Sequence, residues 1–177
     1  MFTLKKLIIS SFILISLSIG LSAVAQAQSL GTPINESQLE GFDLIAQPDG
    51  SGYPEGNGTA VQGKAIFETR CVACHGLNGE GTSTNTRLVG GDMQSEERPI
   101  RTVGSYWPHA STLFDYVQRA MPANAPKSLS SSEVYQVIAY VLHLNGIIED
   151  TLILSKQTLM QIEMPNKDGF IDSSQAL

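Results

Sequence analysis

The chain has 177 residues, 42% of them hydrophobic, and a net charge of −6. That length supports a single core. The acidic balance argues against nucleic acid and against anionic lipid as partners, and suits a partner with a basic docking patch.

Lys5 and Lys6 form a short basic start, followed by an apolar run from Leu7 to Ala25. Ala25-Gln26-Ala27 then reads as an A-x-A cleavage site, so residues 1–27 are expected to be a signal peptide and Gln28 the mature start. Removing Lys5 and Lys6 with the signal takes the charge from −6 to −8 and leaves 150 residues. The alternative is an uncleaved anchor, against which Ser10, Ser11, Ser16, Ser18, Gly20 and Ser22 dilute the run. No later stretch is apolar enough to span a bilayer, so no membrane contact is expected after cleavage. An Arg-rich amphipathic presequence is absent, which turns the destination from mitochondrion to bacterial periplasm.

Residues 28–58 read as an N-terminal arm. One or two helical turns are expected within Ser37 to Leu44, then turns through the Gly- and Pro-dense stretch from Gln47 to Gly58. Thr59 opens the first firm helix, with Thr59-x-x-Gln62 fitting a capping box. Gly63 sits in mid-helix, where glycine costs about 1 kcal/mol relative to alanine. Close approach of another helix is the usual reason for such a glycine. Phe67 lies four residues on, on the same face.

This helix should end near Cys71, at the motif Cys71-Val72-Ala73-Cys74-His75. Two thiols three residues apart on a helical turn point to one side. An imidazole follows directly. That spacing bonds both vinyl groups of a haem and sets a nitrogen under its iron, so one covalently attached haem c is expected. Three rival readings exist. A redox Cys-x-x-Cys pair wants a thioredoxin-like context. A structural zinc needs four ligands, and His109 and His143 show no zinc spacing. A disulfide leaves His75 unexplained.

Residues 76–108 carry little periodicity, with Gly76, Gly79, Gly81, Gly90 and Gly91 among them, so they read as a long loop, justified if it wraps a cofactor. Leu88 and Val89 are candidates to face the haem. Arg98, Arg101, Tyr106 and Trp107 are candidates to bind a propionate. A short helix is expected from Ser111 or Thr112, with Leu113, Phe114, Val117 and Ala120 inward. It stops at Met121-Pro122, where the proline drives Met121 into an extended conformation. A thioether there can turn toward an iron, so Met121 is the candidate distal ligand. Met164, in a second Met-Pro pair, is the main rival and Met93 the third. His109 and His143 would give bis-histidine ligation.

The clearest helix follows. Ser130-x-x-Glu133 is a capping box, and Leu129 with Val134 fits a hydrophobic staple. Val134, Val137, Ile138, Val141 and Leu142 form one apolar stripe, and Asn145-Gly146 is a stop. Tyr135 and Tyr140 offer faces for Gly63 to pack against. Residues 59–148 are thus one helical domain, and 149–177 a wrapping tail with a turn near Lys156 to Met160.

Gly63, Phe67, the Cys71-Cys74-His75 motif, the long loop, Met121-Pro122 and a closing helix with Tyr140 resemble a small class I cytochrome c. Further stretches extend the likeness: Gly58 to Gly76, Val103 to Pro122, Ser128 to Ile148, and Met164 to Phe170. They resemble the cytochrome subunits of periplasmic sulfite and sulfane dehydrogenases, which pair with a molybdenum subunit. The resemblance implies an all-α fold around one haem, with Cys71 and Cys74 as thioether positions. It implies His75 as proximal and Met121 as distal ligand, and no catalytic residue. It also implies electron transfer from a molybdenum-containing dehydrogenase subunit to a downstream soluble cytochrome or oxidase. A free-standing diffusible carrier is the alternative. A third class, peroxidase-like chemistry at an open iron, is disfavoured by methionine ligation.

Overall fold

The structure is a computed structural model that describes residues 31–39 and 45–175. The expected signal peptide and most of the expected turn at 37–44 lie outside the described residues. The chain divides into two compact units, Met1–Glu36 and Ser37–Leu177. In the first, the described residues 31–36 are exposed. Short 3-10 turns span Glu36–Gln38 and Ser173–Gln175.

Among its described residues, the second unit is helical apart from one short ladder. Helix α1 is Ala60–Arg70, and its start is the capping box expected from Thr59 and Gln62. Gln62 Oε1 accepts from the Thr59 N–H at 2.9 Å. A one-turn helix α2, Val72–His75, follows and is stopped by Gly76 at φ +78°. Helix α3, Val103–Tyr106, is capped by Thr102 and Ser105. The loop reading of 76–108 missed it, because four residues leave no periodicity to read. Helix α4, Ala110–Ala120, starts one residue before the expected position and ends at Met121. Helix α5, Ser131–Leu144, is capped by Ser130 with Glu133 and closed at Asn145, as expected. Helix α6 is Lys156–Leu159.

Of the nine α5 residues from Val134 to Leu142, all but Gln136 are buried. The helix is therefore the hub, covered on more than one side. Helix α1 crosses it at closest range through Gly63. A Cβ there would lie 1.8 Å from the Gln136 carbonyl oxygen. The close approach expected for Gly63 is present, but it is made to α5 backbone rather than to the Tyr135 or Tyr140 ring. Tyr140 instead meets Phe67 edge-on, with ring centroids 5.3 Å apart. On another side of α5, Tyr53, Phe114 and Tyr135 form a run of rings with centroids 5.1 and 4.7 Å apart. Burial pushes the Tyr53 and Tyr135 hydroxyls up to about 12, so both stay neutral. The Tyr135 hydroxyl donates to the Pro54 carbonyl at 3.0 Å.

Tyr53 and Ala46 are core residues, so the stretch expected as an arm contributes packing from residue 46 onward. Asp115 on α4 fixes its position. Its carboxylate accepts from the Ala46 N–H at 3.1 Å and pairs with Arg119. Burial works to raise the Asp115 carboxyl, but the hydrogen bonds from Arg119 and Ala46 outweigh it and hold it below the usual range.

In the tail, Leu154, Leu159 and Met164 are buried. Its first contact is an antiparallel pair that sequence periodicity did not indicate: β1, Asn57–Gly58, against β2, Leu154–Ser155, in register Asn57↔Ser155.

Candidate functional site

The junction of α1 and α2 sets the attachment motif. The Cys71 N–H donates to Phe67 O at 2.8 Å, and the His75 N–H to Cys71 O at 2.9 Å. Both thiols are free, Cys71 half-buried and Cys74 exposed. Burial raises the Cys71 thiol to about 11. A thiol held protonated differs from a redox Cys-x-x-Cys pair, which works through a lowered value. Among the described residues no three His, Cys, Asp or Glu side chains gather to hold a metal ion.

His75 is half-buried, with Nδ1 3.3 Å from the Thr86 carbonyl oxygen. In the tautomer with its proton on Nδ1, the ring donates there, and Nε2 keeps its lone pair. A carbonyl behind the ring is the usual way to orient a metal-binding imidazole. Thr86 has no sequence signature for this role, since the contact is made by backbone.

The loop after His75 is folded back by turns. The Gly81 N–H donates to His75 O at 2.7 Å, and Leu88 and Val89 N–H both donate to Gly79 O. The Leu88 carbonyl accepts from the Val103 N–H at 3.2 Å and from Asn145 Nδ2 at 3.3 Å. Asn145 Oδ1 also accepts from the Gly90 N–H at 3.2 Å. Asn145, read in the sequence as a helix stop, is therefore also a clamp that ties the loop to the end of α5. Leu88 is half-buried and packs on the core, as do Cys71, Val72, Trp107 and Met121.

Met121 caps α4 in an extended conformation, φ −115° and ψ 148°, as the following proline implies. It is half-buried. Met164 is 2% exposed, covered by protein on all sides. A thioether that reaches an iron needs surface free of protein, so Met121 fits that task better than Met164. Met93 is half-buried and lines a 390 Å³ cavity with Gly90, Asn145 and Asn166. His109 caps the start of α4 and is exposed. The His143 ring nitrogen lies 3.2 Å from the Ile148 carbonyl oxygen.

Arg98 and Arg101 are exposed and line a 280 Å³ cavity with Pro99. The Arg101 guanidinium lies over the Tyr106 ring at 4.9 Å. Tyr106 in turn meets Phe170 edge-on at 5.2 Å.

The donor set fits a covalently held haem. Cys71, Met121 and the half-buried apolar residues Val72, Leu88 and Trp107 pack on one core, and Cys74 and His75, the latter backed by a carbonyl, lie on the turn that follows Cys71. Buried Gln118 Oε1, on the helix that ends at Met121, has no hydrogen-bond partner.

This arrangement is that of a small helical haem-binding electron carrier. The family model described as Cytochrome c matches residues 60–145. A chain of the crystal structure of the sulfane dehydrogenase SoxCD from Paracoccus pantotrophus is 36% identical, with a TM-score of 0.76. The match covers 84% of this chain and 75% of that one. The thiosulfate dehydrogenase of Allochromatium vinosum is 28% identical over 123 residues, 69% of this chain and 41% of that protein. The CcoP subunit of the cbb3-type cytochrome c oxidase of Cereibacter sphaeroides is 31% identical over 98 residues, 51% of this chain and 32% of that protein. The chain thus spans less than half the length of these last two relatives. The chain belongs to the cytochrome c family. It is an electron-transfer protein with haem c as its covalent cofactor, and its fold is the class I all-α fold that the sequence led us to expect. Among described residues no helix is long and apolar enough to cross a membrane.

Proposed function

We propose that this chain is the mono-haem subunit of a periplasmic sulfite or sulfane dehydrogenase, exported by its N-terminal signal. It would receive electrons from a molybdenum-containing subunit and pass them to a soluble cytochrome or an oxidase. The observation that carries this reading is the extent of the likeness to the SoxCD chain. It covers 84% of the sequence, whereas the general family match stops at 60–145. The packing outside that match, from Ala46 and Tyr53 on one side to Leu154, Leu159 and Met164 on the other, is more than a minimal haem domain uses.

In this reading Cys71 and Cys74 would hold the haem, and His75 and Met121 would bind its iron. The haem supplies one-electron chemistry. The thiols supply attachment, and Thr86 O fixes the His75 ring so that Nε2 presents its lone pair. Asn145 holds the covering loop against α5, which limits water at the site. Arg98 and Arg101, the latter pre-positioned on Tyr106, balance propionate charge. A two-electron oxidation of a sulfur compound then takes place on the partner and reaches this chain in two steps.

The test is reduction of the purified holoprotein by sulfite, with and without the candidate dehydrogenase, over a salt series. Fast reduction should need the dehydrogenase, and the complex should survive moderate salt, because apolar burial is not screened. Rapid reduction by sulfite alone would overturn the subunit reading. Rates that fall steeply with salt, without a stable complex, would favour the free carrier, whose acidic surface steers encounters.

A second expectation concerns the ligand. Met121→Ala should remove the sulfur-to-iron charge-transfer band in the red and lower the midpoint potential, since methionine ligation raises it. Met164→Ala should leave the band in place. The opposite pattern assigns the ligand to Met164.

A further inference from the structure

Among the described residues, two buried side-chain oxygens lack a hydrogen-bond partner: Ser111 Oγ and Gln118 Oε1. Ser111 has the Tyr53 hydroxyl beside it. Gln118 is half-buried, with its Oε1 atom buried and unpaired. A buried amide oxygen left unpaired is costly, and it calls for a function.

Its position on α4 indicates which. Gln118 is three residues before Met121. The Met121 N–H still donates to Val117 O at 3.1 Å, so its Cα stays on the helical path. Residues three apart on a helix share a face. The neighbouring inward residues of α4, Leu113, Phe114 and Val117, are apolar and buried, so they offer the amide no side-chain partner. A half-turn of the terminal torsion exchanges the amide oxygen and nitrogen. The inward group can then be the NH2 donor, and a thioether sulfur is a weak acceptor. A sulfur that gives one lone pair to iron retains a second for such a bond.

We propose that Gln118 is a positioning residue for Met121. Its amide N–H donates to Met121 Sδ, fixes the thioether rotamer and draws electron density from the sulfur. This rests on the reading of Met121 as distal ligand. Ferric iron demands more donation from sulfur than ferrous iron does. The hydrogen bond therefore disfavours the ferric state and raises the midpoint potential.

The experiment compares the holoprotein with Gln118→Leu, with Met121→His, and with the double variant, by potentiometric titration and ferric spectra. Gln118→Leu should keep the haem and the red charge-transfer band but lower the midpoint. The ferrous-to-ferric ratio at a fixed potential should fall about three- to tenfold, the worth of one hydrogen bond. In the Met121→His background the same change should leave the midpoint unmoved, because no thioether accepts. If Gln118→Leu fails to hold haem, Gln118→Met keeps the length, carries no charge and cannot donate, and should also lower the midpoint. An unchanged midpoint, or an equal shift in both backgrounds, overturns the proposal. Persistence of the red band in Met121→His overturns the ligand reading itself and the proposal with it, and that outcome is distinct from the others.

Discussion

Replacing Cys71 and Cys74 together with alanine should leave a chain that carries no haem on a denaturing gel. Two thioether bonds survive unfolding; a haem held by axial ligands alone does not. The wild-type band should therefore keep its haem-linked peroxidase stain, and the double variant should lose it. The structural effect should also be large. Cys71, like Val72 and Leu88, is half-buried against the core, in a part of the unit where the loop after Gly76 has few buried side chains of its own. A ligand retained at a thousand times its dissociation constant contributes about 4 kcal/mol to folding, and a covalent one cannot be diluted away. The double variant should thus unfold at markedly lower denaturant and show weakened helix content. Stain that survives in the variant, or wild-type haem removed by acid-acetone extraction, would reject covalent attachment.

Gly63→Ala should destabilise the protein, although alanine is the better helix former. Helix propensity alone predicts a gain of about 1 kcal/mol. Against it stands the contact with α5. A methyl at this position would lie 1.8 Å from the Gln136 carbonyl oxygen and 2.4 Å from its carbon. Those are backbone atoms of the most buried helix, which cannot rotate aside as a side-chain tip can. Helices α1 and α5 would have to separate, loosening the Phe67 and Tyr140 ring contact. Overpacking of this kind costs about 1–3 kcal/mol and sometimes more; a methyl 1.8 Å from a backbone atom lies at the upper end, so after the propensity gain the net loss should be up to about 2 kcal/mol, with Gly63→Val clearly worse. Denaturant unfolding of the holoprotein measures it. A stabilised Gly63→Ala would mean that the crossing is looser than described.

What the sequence made legible was whatever local chemistry dictates. The capping pairs Thr59 with Gln62 and Ser130 with Glu133 lie within one turn, so their residue types alone announce the starts of α1 and α5. Gly63 announced a helix crossing, and Tyr135 and Tyr140 pointed to the right helix, but not to the atoms met, because Gln136 contributes only backbone and leaves no trace in residue type. The same holds for Thr86, whose carbonyl backs the His75 ring. Asn145 shows a third limit. Its value as a helix stop is local and was readable, whereas its bonds to Leu88 and Gly90 depend on how a loop far away in sequence folds back. Gln118 was missed for a different reason. Three-residue spacing from Met121 was available, but a glutamine on a helix ordinarily reads as solvent-facing, and only burial exposes the difference.

The two-residue ladder between β1 and β2 bears on the order in which this chain assembles. It joins segments separated by about a hundred residues, whereas the contacts within α1 and α2 around the cysteines are local. Loop-closure entropy delays pairings of such span, and a chain made from its N-terminus has no β2 to pair with until residue 155 is in place. The cysteine motif therefore reaches its helical conformation before the tail locks down over Gly58. That leaves a period in which the motif is formed while the tail has yet to close, the interval in which attachment machinery would have the freest access to both thiols.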